Sequence, residues 1–140
     1  MNVNIKLLHP EAKLPVKSHS TDACFDCYAV SKEYIGNLRY EYGLGFSLEL
    51  PEGTQLDLRS RSSIHKTGLM LSNGIGTGDE GYTGEYKVVF YHVIPGMPPY
   101  EIGDRVCQIQ LSKRTDMEFE IVNELQETER SDGGYGSTGN

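Results

Sequence analysis

Apolar side chains recur at every second residue along this chain, in short runs, and almost nowhere at helical spacing. Val3, Ile5 and Leu7 alternate with polar neighbours, and so do Leu44, Phe46, Leu48 and Leu50 before the turn Pro51-Glu52-Gly53. Leu56 and Leu58 continue the pattern. A period of two places one set of side chains on one face of a strand and leaves the other face polar. Tyr86 to Val93 is a β-branched and aromatic run stopped by Pro95-Gly96. Val106, Ile109 and Leu111, then Phe119, Ile121 and Leu125, predict further strands. Only Ser62 to Lys66 reads as a helical turn. Short strands, closely spaced turn residues and 16 glycines together predict an all-β sandwich or barrel-like fold. Such a fold has strand edges to hide, and a compact oligomer would hide them.

At 140 residues the chain is long enough for one domain with a real core. No apolar run approaches a membrane span, and no basic start precedes a long apolar stretch near the N-terminus. The expected compartment is the cytoplasm, or a host's cytoplasm for a virally encoded chain. Three cysteines, an odd count, suit free thiols in a reducing environment. Cys24 and Cys27 have CxxC spacing, but a structural zinc site needs a second pair, so they read as buried strand cysteines. A net charge of −7 argues against a nucleic-acid partner held by phosphate neutralisation. It permits a small phosphorylated ligand met by a local basic cluster or a metal ion. Composition changes only from Thr128, which divides the chain into a β-domain over 1–127 and an arm over 128–140.

Four polar clusters interrupt the strands. Ser20 to Asp26 places Asp26 in an apolar stretch, where a carboxylate is either a paired structural group or a metal-facing one. Arg59-Ser60-Arg61-Ser62-Ser63, with Lys66, alternates cations and hydroxyls before the helical turn; it suits a phosphate or is a solvated basic loop. Asn73 to Glu85 is a glycine-rich hairpin. Its glycines permit close backbone approach to a ligand, and Asp79 could activate a water. Ile102 to Gln108 sends Arg105 and Gln108 into an apolar strand, where buried polar groups need partners. The last ten residues, SDGGYGSTGN after Arg130, read as a frayed end or as a flap. In the second reading backbone N–H groups and hydroxyls hold an anion and a ring covers a planar group.

In this order the clusters resemble the five motifs of the trimeric deoxyuridine triphosphatase (dUTPase) family, over nearly the whole chain. The first is Asp22-Ala23-Cys24-Phe25-Asp26 and the second Arg61-Ser62-Ser63. The third is Asn73 through Glu85, and the fourth Gly103-Asp104-Arg105-Val106-Cys107-Gln108. The fifth runs from Arg130 to Gly139. The resemblance implies a β jelly-roll and a homotrimer with active sites between subunits. It also implies hydrolysis of dUTP to dUMP and pyrophosphate with Mg²⁺, which limits uracil in DNA and supplies dUMP for thymidylate synthesis. It implies that Asp79 activates the attacking water and that Gln108 holds that water or the neighbouring phosphate. Arg61, Ser62 and Ser63 would cradle phosphates, and Asp26 would face the metal through water or brace the site. Asn73 would lie near uracil and Tyr82 against the deoxyribose. Arg130, Ser137 and Thr138 would take the γ-phosphate while Tyr135 stacks on the base, with Gly136 also in contact with the substrate. The arm would then be mobile when the site is empty and ordered over dUTP.

Some positions depart from the family pattern. Cys24 and Gly78 replace a usual glycine and a usual aliphatic residue, and Gly81 stands where a second Asp is common. Ser60 and Ser131 also differ, and Tyr135 replaces a more frequent phenylalanine, whose stacking it retains. The related dCTP deaminases carry a catalytic Glu on the strand after the third motif; here Val89 holds that position. A regulatory binding protein on the same scaffold could lose Asp79, Gln108 or the Arg130 arm, and this chain keeps all three.

Overall fold

The computed structural model describes residues 2–134. Their alternating segments form ten strands: β1 (Asn4–Leu7), β2 (Phe25–Tyr28), β3 (Ser31–Gly36), β4 (Arg39–Gly43), β5 (Phe46–Glu49), β6 (Thr54–Arg59), β7 (Leu69–Leu71), β8 (Ile75–Gly78), β9 (Lys87–His92) and β10 (Arg105–Lys113). One 3-10 turn, Ser62–Lys66, falls where the sequence predicts it. Two four-stranded sheets, ordered β2-β10-β6-β8 and β3-β4-β9-β7, stand beside a separate two-stranded pair, β1-β5. Every pairing among them is antiparallel. The expected all-β architecture is therefore present.

The period-two pattern decides which face is buried. On β6, Leu56 and Leu58 point into a core with Ile109, Phe46, Phe90, Tyr42 and Leu44. The intervening Asp57 accepts hydrogen bonds on the other face from Gln55 Nε2 (3.1 Å), Arg59 Nη2 (3.0 Å) and Ser112 Oγ (2.9 Å). Burial alone would raise this carboxyl, but the three donors, led by Arg59, outweigh it and hold it below the usual aspartate value. A lowered folded value stabilises the fold above the unfolded value of about 3.9 and is lost as pH falls through the folded one. The gap in Tm between wild type and Asp57→Asn is expected to be constant above about pH 5 and to narrow below about pH 4. Thermal unfolding measured from pH 7 to pH 2 checks this; a gap that does not narrow at acid pH would remove Asp57 from the acid limb.

Two expectations need correction. The strand expected around Phe119, Ile121 and Leu125 is absent: β10 ends at Lys113 and residues 114–134 form no strand. A strand needs a ladder partner, and this stretch finds none among the described residues. Its side chains stand exposed instead, Ile121 at 99%. The cysteines divide too. Cys27 and Cys107 are buried register partners on β2 and β10, while Cys24 is only half-buried and precedes the strand. The hydrogen bond to Cys107, then burial, pushes the Cys27 thiol up.

Candidate active site

The buried carboxylate of Asp26 organises one cluster. Strand register sets Asp26 opposite Gln108, and Gln108 opposite Arg59. Arg61 follows β6 and leads into the 3-10 turn. Asp26 Oδ1 accepts from Arg61 Nε and Gln108 Nε2, both at 3.0 Å, and Oδ2 accepts from Arg105 Nη1 at 3.0 Å. Arg61 Nη1 also donates to Ser63 Oγ at 3.2 Å. Two guanidiniums on one carboxylate leave a net positive charge, held in place by hydrogen bonds that both orient and charge-assist. Asp26 is thus already paired, as the bracing alternative requires. A carboxylate has about four acceptor positions, so one is left for a water. Ser62 is exposed at the start of the turn.

A second cluster surrounds a cavity of about 330 Å³ lined by Asn73, Gly76, Gly78, Asp79, Tyr82 and Tyr86, among others. Asn73 sits in the tight turn between β7 and β8, where Gly74 has φ +67°, a conformation glycine adopts at little cost. Asp79 leaves the end of β8 with its side chain exposed, and its carbonyl accepts from Tyr82 N–H at 3.0 Å. Tyr82 Oη donates to the Glu85 carbonyl at 2.8 Å, which fixes the ring. The Glu85 carboxylate accepts from Gly45 N–H at 3.1 Å. No acidic residue occurs on β9, where a deaminase-like Glu would stand.

One chain does not bring these clusters together. Gln108 is level with Arg59 and Ile75, whereas Asp79 lies four residues further along β8. That offset is about 13 Å along the strands, plus two strand spacings across the sheet. Among the described residues the Arg130 guanidinium donates to the Gly133 carbonyl at 3.0 Å. Tyr135, Gly136, Ser137 and Thr138 lie outside the described residues. Sequence reasoning left Arg105 and Tyr86 out of the site. Arg105 had a signal, a cation entering an apolar strand; Tyr86 resembled any other strand residue.

The dUTPase family model matches residues 10–139 of this chain. The chain belongs to the dUTPase family. A deoxyuridine 5'-triphosphate nucleotidohydrolase of Clostridium tetani is 34% identical over 139 residues, covering 98% of this chain and 96% of that protein. Among solved structures, a mutant dUTPase of Staphylococcus bacteriophage 80alpha with dUpNHpp has a TM-score of 0.85 at 23% identity, over 99% of this chain and 98% of that one. A mutant dUTPase from phage phi11 of S. aureus, which reveals the coordination of a structural Mg(II) ion, has a TM-score of 0.74 at 20% identity, over 89% and 98%. The family read from five ordered motifs is therefore borne out, and the solved structures share its fold. The departures can now be separated. At Gly81 an added Cβ would meet nothing within 4 Å, so space does not demand glycine there; at Gly78 it would run into Tyr86.

Proposed function

We propose that this chain is a dUTP diphosphatase, hydrolysing dUTP to dUMP and pyrophosphate at sites completed between subunits. The observation that carries the reading is the shared cavity of Asn73, Asp79 and Tyr82, with an exposed carboxylate on its wall. Asp79 takes a proton from a water as the water oxygen bonds to the α-phosphorus, and the bond from that phosphorus to the bridging oxygen breaks. Pyrophosphate leaves. Such chemistry depends on positioning and charge stabilisation more than on covalent help. Arg61, Ser62, Ser63 and Gln108 supply that stabilisation, with Asp26 gathering Arg61, Arg105 and Gln108 on one carboxylate.

Because Asp79 and Gln108 stand far apart within one chain, the reading requires a neighbour to supply the missing half. A homotrimer does this, and the exposed Phe119, Ile121 and Leu125 would find cover on it. Residues 1–127 then form the barrel and 128–140 the arm, whose Arg130, Ser137 and Thr138 hold the γ-phosphate while Tyr135 covers the base and Gly136 lies against the substrate. Mg²⁺ would arrive on the triphosphate and neutralise charge on the leaving pyrophosphate. Among the described residues no cluster of three acidic, His or Cys side chains offers a cage. The one acceptor position left on Asp26 fits contact through water, as Mg²⁺ chemistry allows. A cytoplasmic setting suits this reading; among the described residues no helix is long and apolar enough to cross a membrane.

Specificity follows from the hairpin. A rigid wall must exclude the thymine methyl, since one methyl in a slot is worth only about 1–3 kcal/mol. A cytosine edge reverses donors and acceptors and leaves buried groups unpaired. Tyr82 under the sugar crowds out a 2′-hydroxyl. With Mg²⁺ present, pyrophosphate release from dUTP is expected to exceed that from dCTP, dTTP and UTP by at least about a hundredfold. Equal rates, or ammonia released from dCTP, would sink the reading.

A further inference from the structure

We propose that Tyr86 is a positioning residue whose ring stands in for the absent side chain of Gly78 and sets Asp79 and Tyr82 in place together. The inference rests on the catalytic reading of Asp79 given above. Gly78 pairs with Leu56, so a side chain at 78 would point with Leu56 toward the interior. A Cβ at 78 would lie 2.6 Å from Tyr86 Cε1 and 2.8 Å from its hydroxyl oxygen, against about 3.5–4.0 Å for an ordinary carbon contact. Even alanine is excluded while that ring keeps its place. The ring has little room to yield. Tyr86 is 3% exposed; its N–H donates to the Phe46 carbonyl at 3.0 Å and its carbonyl accepts from Leu44 N–H at 3.0 Å. Phe46 packs against it with centroids 6.1 Å apart.

The same ring meets Tyr82 edge-to-face, with centroids 5.2 Å apart and planes at 83°. Tyr82 is tied at its far end to Glu85. One buried ring therefore backs the residue immediately before the catalytic carboxylate and also wedges the tyrosine assigned to the sugar. The aliphatic residue that the family resemblance leads one to expect at 78 is missing here because Tyr86 fills its space from eight positions downstream. The Tyr86 hydroxyl is buried and has no hydrogen-bond partner among the described residues. The ring rather than the hydroxyl is thus the positioning element.

The test compares Tyr86→Leu, Gly78→Ile, the double variant Gly78→Ile/Tyr86→Leu, Tyr86→Phe and Asp79→Asn in full-length protein. Readouts are kcat, the preference for dUTP over UTP, and Tm. Tyr86→Leu leaves Gly78 unsupported and is expected to lower both kcat and the preference about tenfold or more, since a misplacement of about 1 Å can cost a hundredfold. Gly78→Ile alone clashes and is expected to do at least as much harm. The double variant refills the space and is expected to recover both readouts to within about threefold of wild type, the strong non-additivity of residues in contact. Tyr86→Phe keeps the ring and is expected to retain the kcat that Tyr86→Leu loses. A purely structural role would move Tm and leave kcat and the preference alone. A double variant no better than Tyr86→Leu, or a Tyr86→Phe as impaired as Tyr86→Leu, overturns the proposal. Should Gly78→Ile fail to fold, Tyr86→Leu against the double variant still decides. Normal turnover by Asp79→Asn would instead remove the catalytic reading itself, so the two failures are distinguishable.

Discussion

Asp79→Asn is expected to lower kcat for dUTP about a thousandfold, within the range of about 10²–10⁴ that a general base contributes. Binding of a non-hydrolysable analogue such as dUpNHpp should change by less than about threefold, because the loss is confined to the transition state. Asparagine keeps the size and an acceptor oxygen but cannot take the water's proton. The Asp79 side chain is exposed at the mouth of the cavity, so the substitution removes no buried partner and the fold should be unmoved. Single-turnover measurements with dUTP and titration with the analogue separate the two effects. A variant that binds poorly yet turns over normally would assign Asp79 to binding; one that does both normally would remove it from the site.

The strands were legible where one face is buried. Phe46 and Leu48 alternate with exposed or polar neighbours, and β5 forms there; Leu56 and Leu58 do the same for β6. The β3–β4 hairpin was not legible, because its turn uses Asn37 and Leu38 at φ +52° and +58°. Leucine is a costly occupant of that left-handed region, so the Gly36-Asn37 turn signal before it does not give the two-residue turn by itself. The stretch around Phe119 misled for the opposite reason. Its alternation is strand-like, but a strand is a property of two segments, and its ladder partner is not among the described residues of this chain.

The site shows the same division. Motif order pointed to Asp26, Arg61 and Gln108 one by one. Their meeting within 3.0 Å is set by register between β2, β10 and β6, which no local pattern encodes. The consequence was also non-local: Asp26 turned out to be bonded to Arg61, Arg105 and Gln108, which restricts it to bracing and at most one water. Tyr86 was illegible because its role depends on a gap at Gly78 on β8, eight residues upstream. A glycine that departs from a family's pattern is a prompt to ask which side chain has taken its space.

Truncation after Glu129 is expected to lower kcat/KM about a hundredfold to a thousandfold while the oligomer persists. The deleted residues carry Arg130, Tyr135, Ser137 and Thr138. A charge-assisted hydrogen bond from Arg130 to phosphate is worth about 1.5–3 kcal/mol. Stacking of Tyr135 on the base adds about 1 kcal/mol, and each 1.4 kcal/mol or so is a factor of ten in rate. Phe119, Ile121 and Leu125 remain in the truncated chain, so the apolar contacts proposed to join subunits are untouched. Light scattering would then report the same assembly before and after truncation, while pyrophosphate release falls. Arg130→Ala is expected to reproduce about a tenfold share of the loss, shrinking for dUDP, which lacks the γ-phosphate. Unchanged activity would make the arm dispensable. Loss of activity together with dissociation would instead make it a structural strap, and the glycines between Arg130 and Thr138 would need another explanation than closing a backbone around phosphate.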